Sequence, residues 1–287
     1  MGVIYGSLNV DEKYSSIVEP NLYYDSIFVP GVTFTDQYEE GAAGGIYVHK
    51  LGTSAVTPGT PGRDFSDEAT SDTLIPIILN NNFQKSKKIY GVQAAAVSIS
   101  LANEQLSIAT QEIKEGWGQS ALACLVKEGT TASDTTAISD GGAVAAFLAV
   151  RTEVSEAKAK ADTLLCSPEF FSKLLDEAGD KFTPVKNDQI AASGAIGTYY
   201  GYNVIEANGL SATNGKYYDS TGTLQTVALD GVDFVLYDHN ALSIVNNVEV
   251  YRIVDSELFN GSKAQAEMNT GYKVTNNAKV YIRKTNP

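Results

Sequence analysis

Between Ile99 and Glu128 the chain reads ISLANEQLSIATQEIKEGWGQSALACLVKE, with small and apolar residues recurring at helical spacing. Ala102, Leu106, Ala109, Ile113, Trp117, Ala121 and Cys124 stand three or four apart and so share one face of a helix. Asn103, Glu104, Gln111, Glu112, Lys114, Glu115, Gln119 and Lys127 fall mostly elsewhere, and the pattern predicts one long amphipathic helix. Ser100 is placed to cap its start with Glu104 near the first turn, and Gly129 follows Lys127 as a stop. Such a helix is roughly 40 Å long, more than a small domain needs to cross its own core. It is therefore read as a strut. Gly116 and Gly118 each cost about 1 kcal/mol of helix propensity, which a close-packed neighbour beside Trp117, or a bend, would explain.

The chain has 287 residues, enough for one large or two modest domains. No apolar run approaches the roughly 18 residues needed to cross a bilayer, and MGVIYGSLNVDEKYSS lacks a signal pattern, so no membrane partner and a cytoplasmic origin are expected. Cys124 and Cys166 are far apart with apolar neighbours, as buried free thiols are. The net charge of −13 argues against a groove that grips nucleic acid through many phosphate contacts. It leaves open a container that encloses nucleic acid without gripping it.

Residues 1 to about 40 carry scattered aromatics without a sustained period, which reads as an extended arm lying along something else. GGIYVHKL (Gly44 to Leu51) and TLIPIIL (Thr73 to Leu79) are strand-like and can pair as a hairpin, with Pro76 at an edge or bulge. Their Gly/Pro/Thr/Asp-rich connection is far longer than a hairpin needs and marks a reach toward a partner. A polar linker, Asn80 to Lys88, then leads to the long helix. After it come a second amphipathic helix from Ala143 to Ala161, a short strand from Thr163 to Cys166, and a third helix opened by Ser167-Pro168 and closed by Gly179. From Gly194 short strands and turns take over, and AQAEMNTGYKVTNNAKVYIRK alternates as one or two final strands. The fold class is α+β, a large body with protruding arms.

Catalytic groups are scarce. His49 and His239 have no nucleophile motif beside them, and Ser167 sits in a helix cap rather than a nucleophile elbow. Gly194, Gly197 and Gly201 have the wrong intervals for a phosphate loop, and Cys and His form no zinc pattern. Asn260-Gly261-Ser262 matches a glycosylation acceptor without the secretory signal that would give it meaning. No enzyme, cofactor or metal is expected.

The succession resembles the major capsid proteins of tailed bacteriophages with the HK97-type fold. The phrases that carry the resemblance are KADTLLCSPEFFSKLLDEAG from Lys160, GAIGTYYGYNVIEANGL from Gly194 and DFVLYDHNALSIVNNVEVYRIVDSELFNGSKAQAEMNTGYKVTNN from Asp233. The resemblance implies an N-arm over 1–43, an E-loop and linker over 44–97, the spine helix of the P-domain over 98–130, an A-domain over 131–245, and over 246–287 a returning P-domain strand followed by A-domain strands. It implies that Arg63, Asp64, Asp67 and Glu68 at the E-loop tip meet a neighbouring subunit, and that Leu106, Ile113 and Trp117 pack the spine. Lys50 and Asn277 offer the residue types through which some members crosslink subunits, with no supporting motif around them. The implied partners are further copies in pentamers and hexamers, a separate scaffolding protein because the arm begins soon after Met1, a portal, and double-stranded DNA enclosed without sequence-specific binding. An encapsulin-like compartment shell shares this fold, and a β-rich surface or adhesive protein is the reading from a different class.

Overall fold

A computed structural model describes residues 27–37, 45–52, 71–91, 101–139, 141–178, 182–184 and 197–285. Strands β1 (Gly45–Leu51), β2 (Asp72–Ile78) and β3 (Asn81–Tyr90) precede the long helix α1 (Leu101–Glu128). Then follow β4 (Thr130–Thr131), α2 (Ala143–Glu156), β5 (Thr163–Cys166), α3 (Pro168–Ala178), β6 (Phe182–Pro184), β7 (Gly197–Tyr199) and β8 (Tyr202–Glu206). The chain continues through β9 (Asn214–Tyr218), β10 (Leu224–Ala228), β11 (Val232–Tyr237), the long strands β12 (Leu242–Asp255) and β13 (Gly261–Val274), and β14 (Val280–Lys284).

Seven strands form one mixed sheet in the order β4-β14-β11-β5-β8-β7-β6. Its central strands are apolar on both faces, as they must be when both faces are covered. One face packs Leu164, Cys166, Val204, Phe234 and Leu236 against Phe147 and Val150 of α2 and Phe170 and Leu174 of α3. The other turns Leu165, Ile205, Val235 and Ile282 into a core shared with the C-terminal half of α1. Helix α3 starts as its sequence predicts, with the Phe170 amide donating to Ser167 Oγ at 3.3 Å. Helix α2 stops at Glu156, short of the expected Ala161, in a Schellman turn. There the Ala159 and Lys158 amides donate to the Val154 and Ser155 carbonyls, and Lys158 takes the left-handed conformation (φ 54°) that glycine usually fills.

A second sheet has the order β12-β13-β3. Residues 81–90, expected as a polar linker, are thus a ten-residue strand paired with β13 from Asn81↔Thr270 to Tyr90↔Gly261. Phe83, Lys85, Lys87 and Ile89 alternate toward α1, and with lysines on both faces the strand shows no apolar period in its sequence. Strand β12 runs across positions 245–246, where a domain boundary is expected, with a bulge between Asn247 and Glu249.

Helix α1 has two unlike halves. Up to Glu115 it lays one stripe on the three-stranded sheet, and Asn103, Ser107, Gln111 and Lys114 are exposed. From Ser120 to Val126 every residue is buried, so the expected amphipathic stripe does not extend through this half. The cause is that this half lies between the seven-stranded sheet and the β9–β10 hairpin: Gly215 backs onto Ala123 and Gly209 onto Leu122. Gly129 is required where the helix meets β14, because a Cβ there would stand 2.7 Å from side-chain atoms of Ile282 and Val280.

Strands β1 and β2 pair antiparallel as a separate two-stranded ribbon, with Tyr47 opposite Pro76. In such a ribbon every strand is an edge, so proline is tolerated. Its root presses on β13: Ile77 is buried, and a Cβ on Gly271 would stand 2.7 Å from the Ile78 carbonyl.

Candidate functional site

Among Leu106, Ile113 and Trp117 of α1, Trp117 gathers the most elements. Its ring is buried and meets the edges or faces of Phe28 and Phe34 at centroid distances of 6.2 and 6.0 Å. Its indole N–H donates to Asn246 Oδ1 at 3.2 Å, and its carbonyl accepts from Tyr272 Oη at 3.0 Å. A Cβ on Gly116 would meet the Phe83 ring at 3.5 Å, an ordinary van der Waals contact, so close packing does not by itself require this glycine. The segment 27–37 is fastened at the same level. Thr35 exchanges backbone hydrogen bonds with Leu242 and Ile244, and Tyr237 Oη donates to the Thr33 carbonyl at 2.8 Å. Ile113 is buried in this core, and Leu106 is half-buried against Ile89, Leu101 and Ala264.

Charged clasps at two levels hold α1 to its sheet. Glu112 receives Lys85 at 3.0 Å and Lys87 at 2.8 Å from β3. Burial pushes its carboxyl up, but the hydrogen bonds and charges of the two lysines outweigh this and hold it below the ordinary value. At the helix end, Glu128 takes Lys273 Nζ at 2.8 Å and the Val274 amide at 2.9 Å. By sequence Glu112 falls on the polar remainder of the helix; the signal for its partners is the Lys-x-Lys spacing of β3, which aims both ammonium groups at one face.

The surfaces left over are apolar and projecting. On the outer face of the β1–β2 ribbon Tyr47, Leu51 and Leu74 are exposed, at 61, 63 and 53%. A two-stranded ribbon has no core of its own, and such residues mark a contact surface. Its other face turns inward, where Lys50 Nζ comes within 3.5 Å of Asn276 Oδ1, next to Asn277 of the same chain. The tip residues Arg63, Asp64, Asp67 and Glu68 lie outside the described residues, as does the cap Ser100. A second projection is the far end of the β12–β13 hairpin, where Tyr251, Ile253, Val254 and Leu258 are exposed.

The groups that resemble chemistry are engaged structurally. Cys124 and Cys166 are buried free thiols, and burial pushes both up. His49 is exposed, with Nδ1 2.6 Å from Asp72 Oδ2 across the ribbon. His239 donates its amide to Asp162 Oδ1 at 3.0 Å and sets Nδ1 against the other oxygen of that carboxylate. The ligand atoms of Asp162, Asp238 and His239 lie within 4.8 Å of one another, but Lys279 Nζ already stands 2.6 Å from Asp238. Burial pushes Asp238 up, and Lys279 and Asn240 bring it below its ordinary value. The cluster locks the corner where β11 passes into β12. No helix among the described residues is long and apolar enough to cross a membrane.

No family model and no curated protein matches the sequence. Solved structures do match along nearly the whole chain. One titled "Mycobacterium phage Che8" is 19% identical, covers 97% of this chain and 98% of that one, and superposes with a TM-score of 0.67. The mature capsid of bacteriophage PhiM1 is 14% identical over 96% of this chain and 91% of its own, with a TM-score of 0.68. The capsid of cyanophage P-SCSP1u is 11% identical over 99 and 93%, with a TM-score of 0.67. At these identities the likeness shows a shared fold.

Proposed function

We propose that this chain is the major capsid protein of a tailed bacteriophage, a structural subunit that assembles into an icosahedral head around double-stranded DNA. The observation that carries this reading is the end-to-end agreement with phage capsid subunits. The uncovered surfaces support it: a ribbon and a hairpin end with exposed Tyr47, Leu51, Leu74 and Leu258 suit a subunit whose neighbours cover them.

In the HK97-type arrangement the segment ending near residue 43 is the N-arm, the β1–β2 ribbon the E-loop, and α1 the spine. The three-stranded sheet is then the P-domain sheet, with β3 belonging to it rather than to a linker, and the seven-stranded sheet with α2 and α3 is the A-domain. Arg63, Asp64, Asp67 and Glu68 reach a neighbouring subunit from the E-loop tip, while Leu106, Ile113 and Trp117 keep the spine seated. Further copies in pentamers and hexamers, a scaffolding protein and a portal are the partners of this reading. The role is mechanical and requires no cofactor. A net charge of −13 suits a wall along which DNA slides while mobile cations screen it.

The test is negative-stain microscopy of the full chain expressed alone and with its neighbouring genes. Closed polyhedral shells, or rings of fivefold and sixfold symmetry, are the expected result, with DNA-filled particles when the packaging genes are present. A uniform small monomer under every condition overturns the proposal, and shells filled with an enzyme cargo turn it toward a protein compartment.

A further inference from the structure

The Asn260-Gly261-Ser262 motif contains an Asn-Gly pair, which carries a chemistry of its own. Asn-Gly occurs three times in the chain, at Asn208-Gly209, Asn214-Gly215 and Asn260-Gly261. An asparagine followed by glycine can cyclise on itself, because the next backbone nitrogen meets no side chain on its way to the amide carbon. Cyclisation needs the backbone to leave its folded geometry, so the surroundings decide which of the three reacts.

Two of them are pinned by the core. Asn208 begins a 3-10 turn, and Gly209 is buried with Leu122 Cδ2 2.9 Å from where a Cβ would stand. Asn214 and Gly215 are paired with Ala228 and Val227 in the β9–β10 hairpin, and Gly215 is pressed onto Ala123 of α1. Opening either one disturbs the packing of the buried half of the helix. All three asparagines are exposed, but Gly209 and Gly215 are buried whereas Gly261 is only half-buried, and Asn260 ends the irregular run 256–260 that joins β12 to β13, at the end of the three-stranded sheet remote from the seven-stranded one. The Gly91 amide donates to the Asn260 carbonyl at 3.0 Å and the Ser256 amide to the Gly261 carbonyl at 2.9 Å, and Gly261 opens β13 opposite Tyr90, where the Ile89 carbonyl oxygen leaves no room for a Cβ; these contacts lie at the last pair of the ladder and not in the core around α1. Hydrogen bonds at an exposed end of a hairpin, remote from the core, break without disturbing that core.

From these differences we infer that Asn260 is a site of spontaneous deamidation, the first of the three Asn-Gly pairs to convert in the folded chain. The Gly261 amide nitrogen attacks Asn260 Cγ, a carbon–nitrogen bond forms, and the side-chain nitrogen leaves as ammonia. Water then opens the resulting succinimide at one of its two carbonyls to give aspartate or isoaspartate, so the net exchange is water in and ammonia out. The new carboxylate follows Phe259, whose ring has Lys88 and Lys263 at 6.0 and 5.9 Å, and these two lysines stand directly opposite each other in the β3–β13 register. Like charges directly opposed disfavour the pairing. Each conversion adds one negative charge to a hairpin end that already carries Asp255 and Glu257.

The experiment incubates the full unassembled chain at mildly alkaline pH, folded in one arm and in denaturant in the other, and follows the three Asn-Gly peptides by mass spectrometry. In the folded arm Asn260 should convert severalfold faster than Asn208 and Asn214, while in denaturant the three rates converge. Asn260→Gln should remove the first acidic species that appears on anion exchange. Earlier conversion at Asn208 or Asn214, or a folded chain in which none converts while the denatured chain does, overturns the inference.

Discussion

The seven-stranded sheet and the three-stranded sheet share helix α1 but satisfy it in opposite ways. On the first, helices cover one face and the buried half of α1 the other, so Phe147, Leu164, Leu165, Phe234 and Val235 are all inside. On the second, Ala264, Ala266 and Met268 face the helix, while the other face offers Lys88, Arg252 and Gln265 to solvent. The first sheet completes its own core; the second, with the ribbon rooted on it, holds surface that a single copy does not cover. Stability should therefore reside in the first and assembly in the second, and substitutions can test that division.

The largest stability loss is expected at Phe147, which is fully buried and meets the rings of Tyr199, Tyr202 and Phe234 at 5.4, 5.5 and 6.4 Å. Phe147→Ala should lower unfolding free energy by about 4 kcal/mol, read from denaturant unfolding of the unassembled chain. A loss near zero would mean that this sheet does not carry the core.

Next comes Arg283, 1% exposed, which binds Asp134 through Nε and Nη2 at 3.3 and 3.2 Å, contacts Asp233 and donates to the Thr136 carbonyl at 2.6 Å. Arg283→Met leaves two partly buried carboxylates facing an apolar chain and should cost about 3 kcal/mol. Adding Asp233→Asn should restore part of it. If the double variant is no better than the single, the ion pair is not what the site loses.

A smaller effect, on the other sheet, is set by pH. Folding lowers the Glu112 carboxyl, so its contribution is complete above its ordinary value of 4.5 and is lost as pH falls through the lower folded value. Glu112→Gln should cost about 1 kcal/mol at neutral pH, since Lys85 is half-exposed, and the gap to the parent chain should close in acid. Asp219 follows the same sign: hydrogen bonds from Thr221, Thr223 and Gln225 outweigh slight desolvation and lower it from 3.8 to about 2. Its share is complete above 3.8 and disappears as pH falls through about 2. Acid titrations of Glu112→Gln and of Asp219→Asn that run parallel to the parent curve would refute the respective contributions.

The elements readable in the sequence were those whose local chemistry and tertiary setting agree. The Ser167-Pro168 start and the strand Thr163–Cys166 stand where their residues predict, as does the pairing of β1 with β2. Three features were hidden, each by a long-range cause. Strand β3 looks like a linker because the lysines facing α1 are neutralised by Glu112, a residue distant in sequence. The second half of α1 is buried beyond its stripe because Gly215 and Gly209, distant in sequence, pack on Ala123 and Leu122, while Ser120 donates its hydroxyl to the Lys216 carbonyl at 2.8 Å. The end of α2 is unmarked because Lys158 fills a position normally advertised by glycine. Of the candidate site, the pairing of β1 with β2 was legible from their strand-like residues, whereas the exposure of Tyr47, Leu51 and Leu74 required knowing which ribbon face turns inward.

That face gives the sharpest test, because the expected stability effect is the smallest. Tyr47 stands opposite Pro76 and Leu74 opposite His49, so both lie on the outer side of the ribbon, away from the Lys50–Asn276 contact. Replacing both with serine removes apolar surface that already faces water, and unfolding of the unassembled chain should change by no more than about 0.5 kcal/mol. If neighbouring subunits cover this face, the same change takes buried apolar area from every contact in the shell, and the loss is repeated by symmetry. The Tyr47→Ser, Leu74→Ser chain should then remain folded by circular dichroism yet fail to form closed particles under conditions where the parent does. Normal particles from that chain would show that the ribbon's outer face is not a contact, and unfolding of the chain would show that it belongs to the core; either result ends the division between the two sheets.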